Sequence, residues 1–139
     1  MMRALDTNIL GRYYVRHTDE DEYTGRQRAA AVRLLENEPA LFVPRTVVLE
    51  LEWLLRGRYQ FTREQVASTL DHLLGLPQLL IEDIAMVEQA LAHYRQGLDF
   101  ADALHLAACR EAADMLTFDE RFAKRAGRLS LKPPCVVPV

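Results

Sequence analysis

Apolar positions along this chain alternate between compact runs and stretches at helical spacing. Met2–Leu5, Ala40–Val43, Leu79–Ile81, Met115–Phe118 and Val136–Val137 are unbroken apolar or near-apolar runs that read as short strands. Between them, residues spaced at three and four predict helices. A brief helix runs through Ile9, Leu10 and Tyr13, and another spans Arg26–Glu38 with Ala29, Val32 and Leu35 as its apolar stripe. Further helices are expected over Arg45–Arg56, Thr62–Leu74, Ile84–Gln96, Asp99–Ala113 and Asp119–Ala126. The punctuation agrees: Pro39 stops one helix, Pro44 opens the next and Gly57 closes it. Thr62 with Gln65 has the form of a capping box, and Gly75, Pro77 and Gly97 end later helices. His17–Glu22 is polar and acidic and reads as a solvated loop, while Pro133, Pro134 and Pro138 restrict pairing around the last strand. Strands alternating with helices imply a parallel sheet covered on both faces. The expectation is a single domain over residues 1–139, a three-layer α/β/α sandwich on a central parallel sheet of four to five strands.

Composition narrows the class. At 139 residues and 50% hydrophobic, the chain can bury a sizeable core. A formal net charge of -3 excludes a generic nucleic-acid coat held by a basic surface, though not a nucleic-acid enzyme whose acids hold metal. The two cysteines, Cys109 and Cys135, have no ligand-like spacing and read as buried thiols of a reducing compartment. Asp6 interrupts the start before an apolar signal region forms, and no apolar run approaches the roughly 20 residues that span a bilayer. A cytoplasmic protein with no membrane partner is expected.

The chemistry lies in the acids. Asp6, Glu50, Asp102 and Asp119 recur where an apolar strand gives way to a helix or in a helix's first turns. In a parallel α/β sheet the carboxyl ends of the strands line one edge, where ligands bind. Two bare carboxylates about 4 Å apart repel by roughly 4 kcal/mol at an effective dielectric near 20. Four such groups need protons or a divalent cation to coexist, which points to a metal-dependent hydrolase. Each acid also has an ordinary explanation. Asp6, Asp99 and Asp119 are placed as helix N-caps, and Asp102 as an acid favoured by the helix dipole. Glu50 borders the apolar arc of Val47, Val48, Leu51, Leu54 and Leu55, with Glu52 at the other border. These readings do not explain why nearly every strand end carries an acid.

Four stretches in order resemble the PIN-domain ribonucleases, and among them the toxins of VapBC-type toxin–antitoxin pairs. They are Leu5-Asp6-Thr7-Asn8, Val43-Pro44 through Glu50-Leu51 to Trp53-Leu54-Leu55, Asp99 through Asp102-Ala103-Leu104-His105 to Ala107, and Leu116-Thr117-Phe118-Asp119. The resemblance implies that Asp6, Glu50, Asp102 and Asp119 are the catalytic quartet, supported by Thr7, Asn8, Asp99 and Thr117. It also implies a cognate antitoxin and a homodimer, with RNA as substrate. Oxygen-only donors suit Mg²⁺, with Mn²⁺ able to substitute. Asp6 and Asp102 are expected as the main metal ligands, with Glu50, Asp99 and Asp119 as further candidates. Glu50 would orient or deprotonate the attacking water.

Other classes fit less well. A dehalogenase-type phosphatase would want an aspartate where Asn8 stands, and a phosphate-accepting receiver would want a lysine placed unlike Lys124 or Lys132. A catalytically weak RNA-binding or regulatory module is the remaining alternative. Arg12, Arg16, Arg45, Arg56 and Arg58 are candidates for an RNA path. Leu49 and Trp53 lie opposite the core-facing arc of their helix and are expected to form a partner surface.

Overall fold

The computed structural model describes residues 2–139. Its contacts divide the chain into two compact units, one ending at Ile84 and one running from Ala85 to Val139.

In the first unit, β1 (Arg3–Ala4), β2 (Leu41–Val43) and β3 (Leu79–Ile81) form a parallel ladder in the order β1-β2-β3. Leu41 lies opposite both Arg3 and Leu79, and Val43 opposite Ile81. Leu41 and Val43 of the central strand are fully buried. Helices α1 (Thr7–Tyr14), α2 (Glu22–Asn37), α3 (Arg45–Trp53) and α4 (Arg63–Leu74) connect these strands. The expected capping box is present in full: Thr62 accepts from the Gln65 amide at 3.1 Å, and Gln65 accepts from the Thr62 amide at 2.9 Å. Leu10, Leu35, Val48, Leu51, Leu55, Leu70 and Leu73 supply this unit's buried apolar side chains.

Three expectations for this unit need correction. Helix α2 starts at Glu22, not Arg26, because Asp21 caps it by accepting from the Thr24 amide at 2.8 Å. Its buried face is Arg28, Ala31 and Leu35, while Ala29 is exposed. Arg28 takes a core position because its guanidinium donates to the Glu20 carboxylate and the Val15 carbonyl. The helix expected to run from Arg45 to Arg56 is α-helical only to Trp53. Leu54–Arg58 then forms a π-turn, in which the Tyr59 amide reaches the Leu54 carbonyl at 3.2 Å. Gly57 therefore lies inside the widened turn instead of beyond the helix end.

The second unit holds α5 (Ile84–Arg95), α6 (Phe100–Ala108), β4 (Met115–Leu116), α7 (Glu120–Arg128) and β5 (Cys135–Val136). Strands β4 and β5 pair in parallel, with Met115 opposite Cys135 and Leu116 opposite Val136. Val87, Leu91, Tyr94, Phe100, Leu106 and Phe122 are among its buried side chains, and the Tyr94 and Phe100 rings meet edge to face at 5.6 Å. Helix α6 stops at Ala108, short of the expected Ala113, because Arg110–Asp114 is exposed throughout and has no face to bury. Gly97 follows α5 with φ at +107°, a left-handed conformation that glycine adopts without strain. Its carbonyl accepts from the Arg125 guanidinium, and a Cβ here would come within 2.6 Å of that group.

The class is α/β with parallel pairing throughout, as the alternation of runs implies. The five strands form a ladder of three and a ladder of two, not one sheet of four to five. With only two residues each, β4 and β5 find their strand partners in one another. Among the described residues, no helix is long and apolar enough to cross a membrane.

Candidate active site

The candidate residues of the first unit gather around the start of α1. Leu5, 3% exposed, anchors the chain just before Asp6. Asp6 adopts extended backbone and caps α1, its Oδ1 accepting from the Thr7 amide at 2.7 Å. A capping carboxylate uses one oxygen this way. Thr7 is buried, and its hydroxyl donates to Oε1 of Glu50 on α3. Val48 and Leu51 hold that helix to the core while Glu50 itself is exposed. Asp6, Thr7, Asn8 and Glu50 line a hollow of about 270 Å³, completed by Trp53 and Leu54. Asn8 is an exposed part of its wall. Thr7, in contrast, is one of three buried polar or charged residues in the chain as described. Its tie to Glu50 joins positions 43 apart in sequence, so only its place after Asp6 hinted at a role. A larger hollow of about 520 Å³, around Arg12, Arg28 and Arg58, contains none of the four candidate acids.

In the second unit Asp99 caps α6, its Oδ2 accepting from the Asp102 amide at 3.3 Å. Asp102 lies in that helix's first turn, half-buried. Asp119 caps α7, accepting from the Phe122 amide at 3.0 Å, and its own amide donates to the Thr117 hydroxyl at 3.0 Å. Thr117 thus fixes the strand-to-helix turn that presents Asp119. Burial pushes the Asp102 pKa up, and the negative charges of Asp99 and Asp119 push it further against a smaller opposing effect of His105. Burial also raises the Cys135 thiol, with Asp102 adding to the effect. Asp102 is therefore the carboxylate on which like charges converge.

This donor chemistry suits a hard divalent cation: the groups are carboxylate oxygens, and Asp102 carries a repulsion that positive charge would relieve. Among the described residues, no three His, Cys, Asp or Glu side chains close around one point as a ligand set. The fit is thus one of donor type and charge.

The arginines expected along an RNA path are largely engaged elsewhere. Arg45 pairs with Glu82 at 3.5 Å and Asp83 at 3.2 Å, and Arg56 with Glu52 at 2.6 Å. Arg12 donates to Gln27 at 2.8 Å, and Arg58 sits over the Tyr59 ring. Glu52, placed by sequence at the border of the apolar arc, is 2% exposed. Trp53 is 60% exposed, and Leu49 is half-buried.

No curated protein matches the chain. A family model, that of the PIN domain, matches residues 4–128 and so takes in all four candidate acids. PIN domains are generally metal-dependent nucleases, in keeping with the carboxylates at these helix starts. On that match, which spans well over half of its length, the chain belongs to the PIN-domain family.

Proposed function

We propose that this protein is a divalent-metal-dependent endoribonuclease, one PIN-like domain over residues 1–139, whose catalytic carboxylates are Asp6, Glu50, Asp102 and Asp119. The observation that carries this reading is the hollow walled by Asp6 and Glu50, where the buried Thr7 hydroxyl ties Glu50 in place. Asp6 and Asp102 are the principal ligands for Mg²⁺ or Mn²⁺, with Glu50, Asp99 and Asp119 as further oxygen donors. When bound, the cation supplies positive charge to a phosphodiester under attack by water. Glu50 accepts the proton of that water, and Thr7 holds its carboxylate in one orientation while it does so. Asp119 stands ready at the start of α7 to steady a second, weaker cation.

By its resemblance to VapBC-type toxins, the protein acts in the cytoplasm as the toxin of a toxin–antitoxin pair, is homodimeric, and is silenced by a cognate antitoxin. The exposed Trp53 on the rim of the hollow supports such a docking surface. The decisive experiment incubates purified, partner-free protein with total cellular RNA in Mg²⁺, in Mn²⁺ and in chelator, beside Asp6→Asn. Cleavage should require metal and fall by orders of magnitude in the variant. Full activity of Asp6→Asn in excess chelator would overturn the proposal.

A further inference from the structure

We propose that Phe118 and the basic side of α7 form the track for the substrate strand, which is single-stranded RNA: an unpaired base stacks on Phe118 while backbone phosphates lie along Arg121, Lys124 and Arg128. The inference rests on the nuclease reading and names the surface that holds its substrate strand.

Phe118 is 83% exposed, well above Tyr23 at 62% or Trp53 at 60%. Leaving a phenyl ring in water forgoes the gain of burial, and the fold does not require it, since Phe122 and Ala126 bury the apolar side of α7. The ring is nonetheless held on firm backbone. On one side the Thr117 amide donates to Val136 at 3.0 Å, and on the other Asp119 caps α7. Leu116, 62% exposed, and its ladder partner Val136, 40% exposed, extend the apolar surface beside it. Such a preformed aromatic platform suits the face of an unstacked base, which a duplex keeps enclosed.

Charge completes the track. Arg121, Lys124 and Arg128 fall at i, i+3 and i+7 on one side of α7, all exposed. Among the described residues none of the three makes an ion pair, unlike Arg45 and Arg56, which are held by carboxylates. On a chain of net charge -3, this is a concentrated basic strip complementary to phosphate. Phe118 immediately precedes Asp119, so a base stacked there brings its own backbone to a candidate catalytic carboxylate.

The test measures fluorescence anisotropy of a labelled single-stranded RNA and its duplex with the full chain, in chelator to stop cleavage. Phe118→Ala should weaken single-strand binding by about tenfold, with Phe118→Trp restoring it, and leave duplex affinity and melting temperature unchanged. Combined Arg121→Gln, Lys124→Gln and Arg128→Gln should reduce the slope of log affinity against log salt by about 2. Wild-type binding retained in both variants, while wild type still cleaves RNA with Mn²⁺, would overturn this inference and leave the nuclease reading standing. Wild type that binds no RNA overturns it too, and if metal-supplied protein also fails to cleave, the nuclease reading falls separately. Loss of self-association in Phe118→Ala with unchanged RNA affinity would make this face a protein interface and refute the track.

Discussion

Replacing Thr7 with valine removes one hydroxyl at nearly constant shape and tests whether that hydroxyl serves chemistry or only packing. Thr7 is 5% exposed and donates to Glu50, so the lost bond is one to a carboxylate oxygen, worth about 1.5–3 kcal/mol net. Glu50 is itself exposed and regains water, which brings the loss to the bottom of that range. Burying a methyl in place of the hydroxyl returns up to about 0.8 kcal/mol. The net cost is then about 1 kcal/mol, or roughly 3 °C in Tm for a chain of this length. Cleavage should suffer far more than folding, because a carboxylate released to solvent samples many rotamers while accepting a proton in only a few. Thermal unfolding and metal-supplied RNA cleavage would be measured for Thr7→Val, Glu50→Gln and the double variant. The two substitutions should be strongly non-additive in rate, since each disables the same proton acceptor. Additive effects, or full activity in Thr7→Val beside an inactive Glu50→Gln, would refute the orienting role. A fall in Tm beyond about 10 °C would show that Thr7 acts mainly in packing.

The raised pKa of Asp102 means that the folded state binds its proton more tightly than the unfolded chain does. Stability from this group is fully present below the unfolded pKa and lost as pH rises through the folded value. Asp102→Asn in metal-free buffer should therefore melt above wild type at neutral pH, with the gap closing towards about pH 4; the opposite trend would refute it. Asp99→Asn keeps a cap, because asparagine caps as well as aspartate, and should retain most cleavage, whereas Asp102→Asn should lose it. Equal, severe loss in both would mean that the pair is wrongly divided. Trp53→Ala removes a side chain with only about 100 Å² in contact, so folding loses at most about 2.5 kcal/mol. Binding of the proposed antitoxin or second copy should weaken by roughly thirtyfold or more; unchanged assembly would place the partner surface elsewhere.

Element type was legible from local pattern because apolar period and capping chemistry act over a few residues. The start of α2 was hidden because Asp21, its cap, sits inside the acidic run that reads as loop. The buried face of that helix is not legible in residue type, because Arg28 is paired with the Glu20 carboxylate and donates to the Val15 carbonyl. The ion pairs of the candidate arginines are not readable in sequence for a similar reason: Arg45 meets Glu82 and Asp83, nearly forty positions away. The capping positions of Asp6, Asp99 and Asp119 were readable, since an N-cap depends on its immediate neighbours. The Thr7–Glu50 bond was not, because it exists only once α1 and α3 lie side by side.

The π-turn at Leu54–Arg58 has a mechanical consequence. A π-turn is an α-helix that carries one surplus residue, and each residue rotates a helix by about 100°. Upstream, Val48 and Leu51 pin α3 and with it the orientation of Glu50. A single deletion at the start of the turn would remove the surplus and let it tighten to α-helical pitch, swinging Arg56 and Arg58, which lie within it, to a new bearing. The turn therefore works as a vernier, through which the outer end of this helix can be re-aimed by one residue while the carboxylate behind it keeps its place.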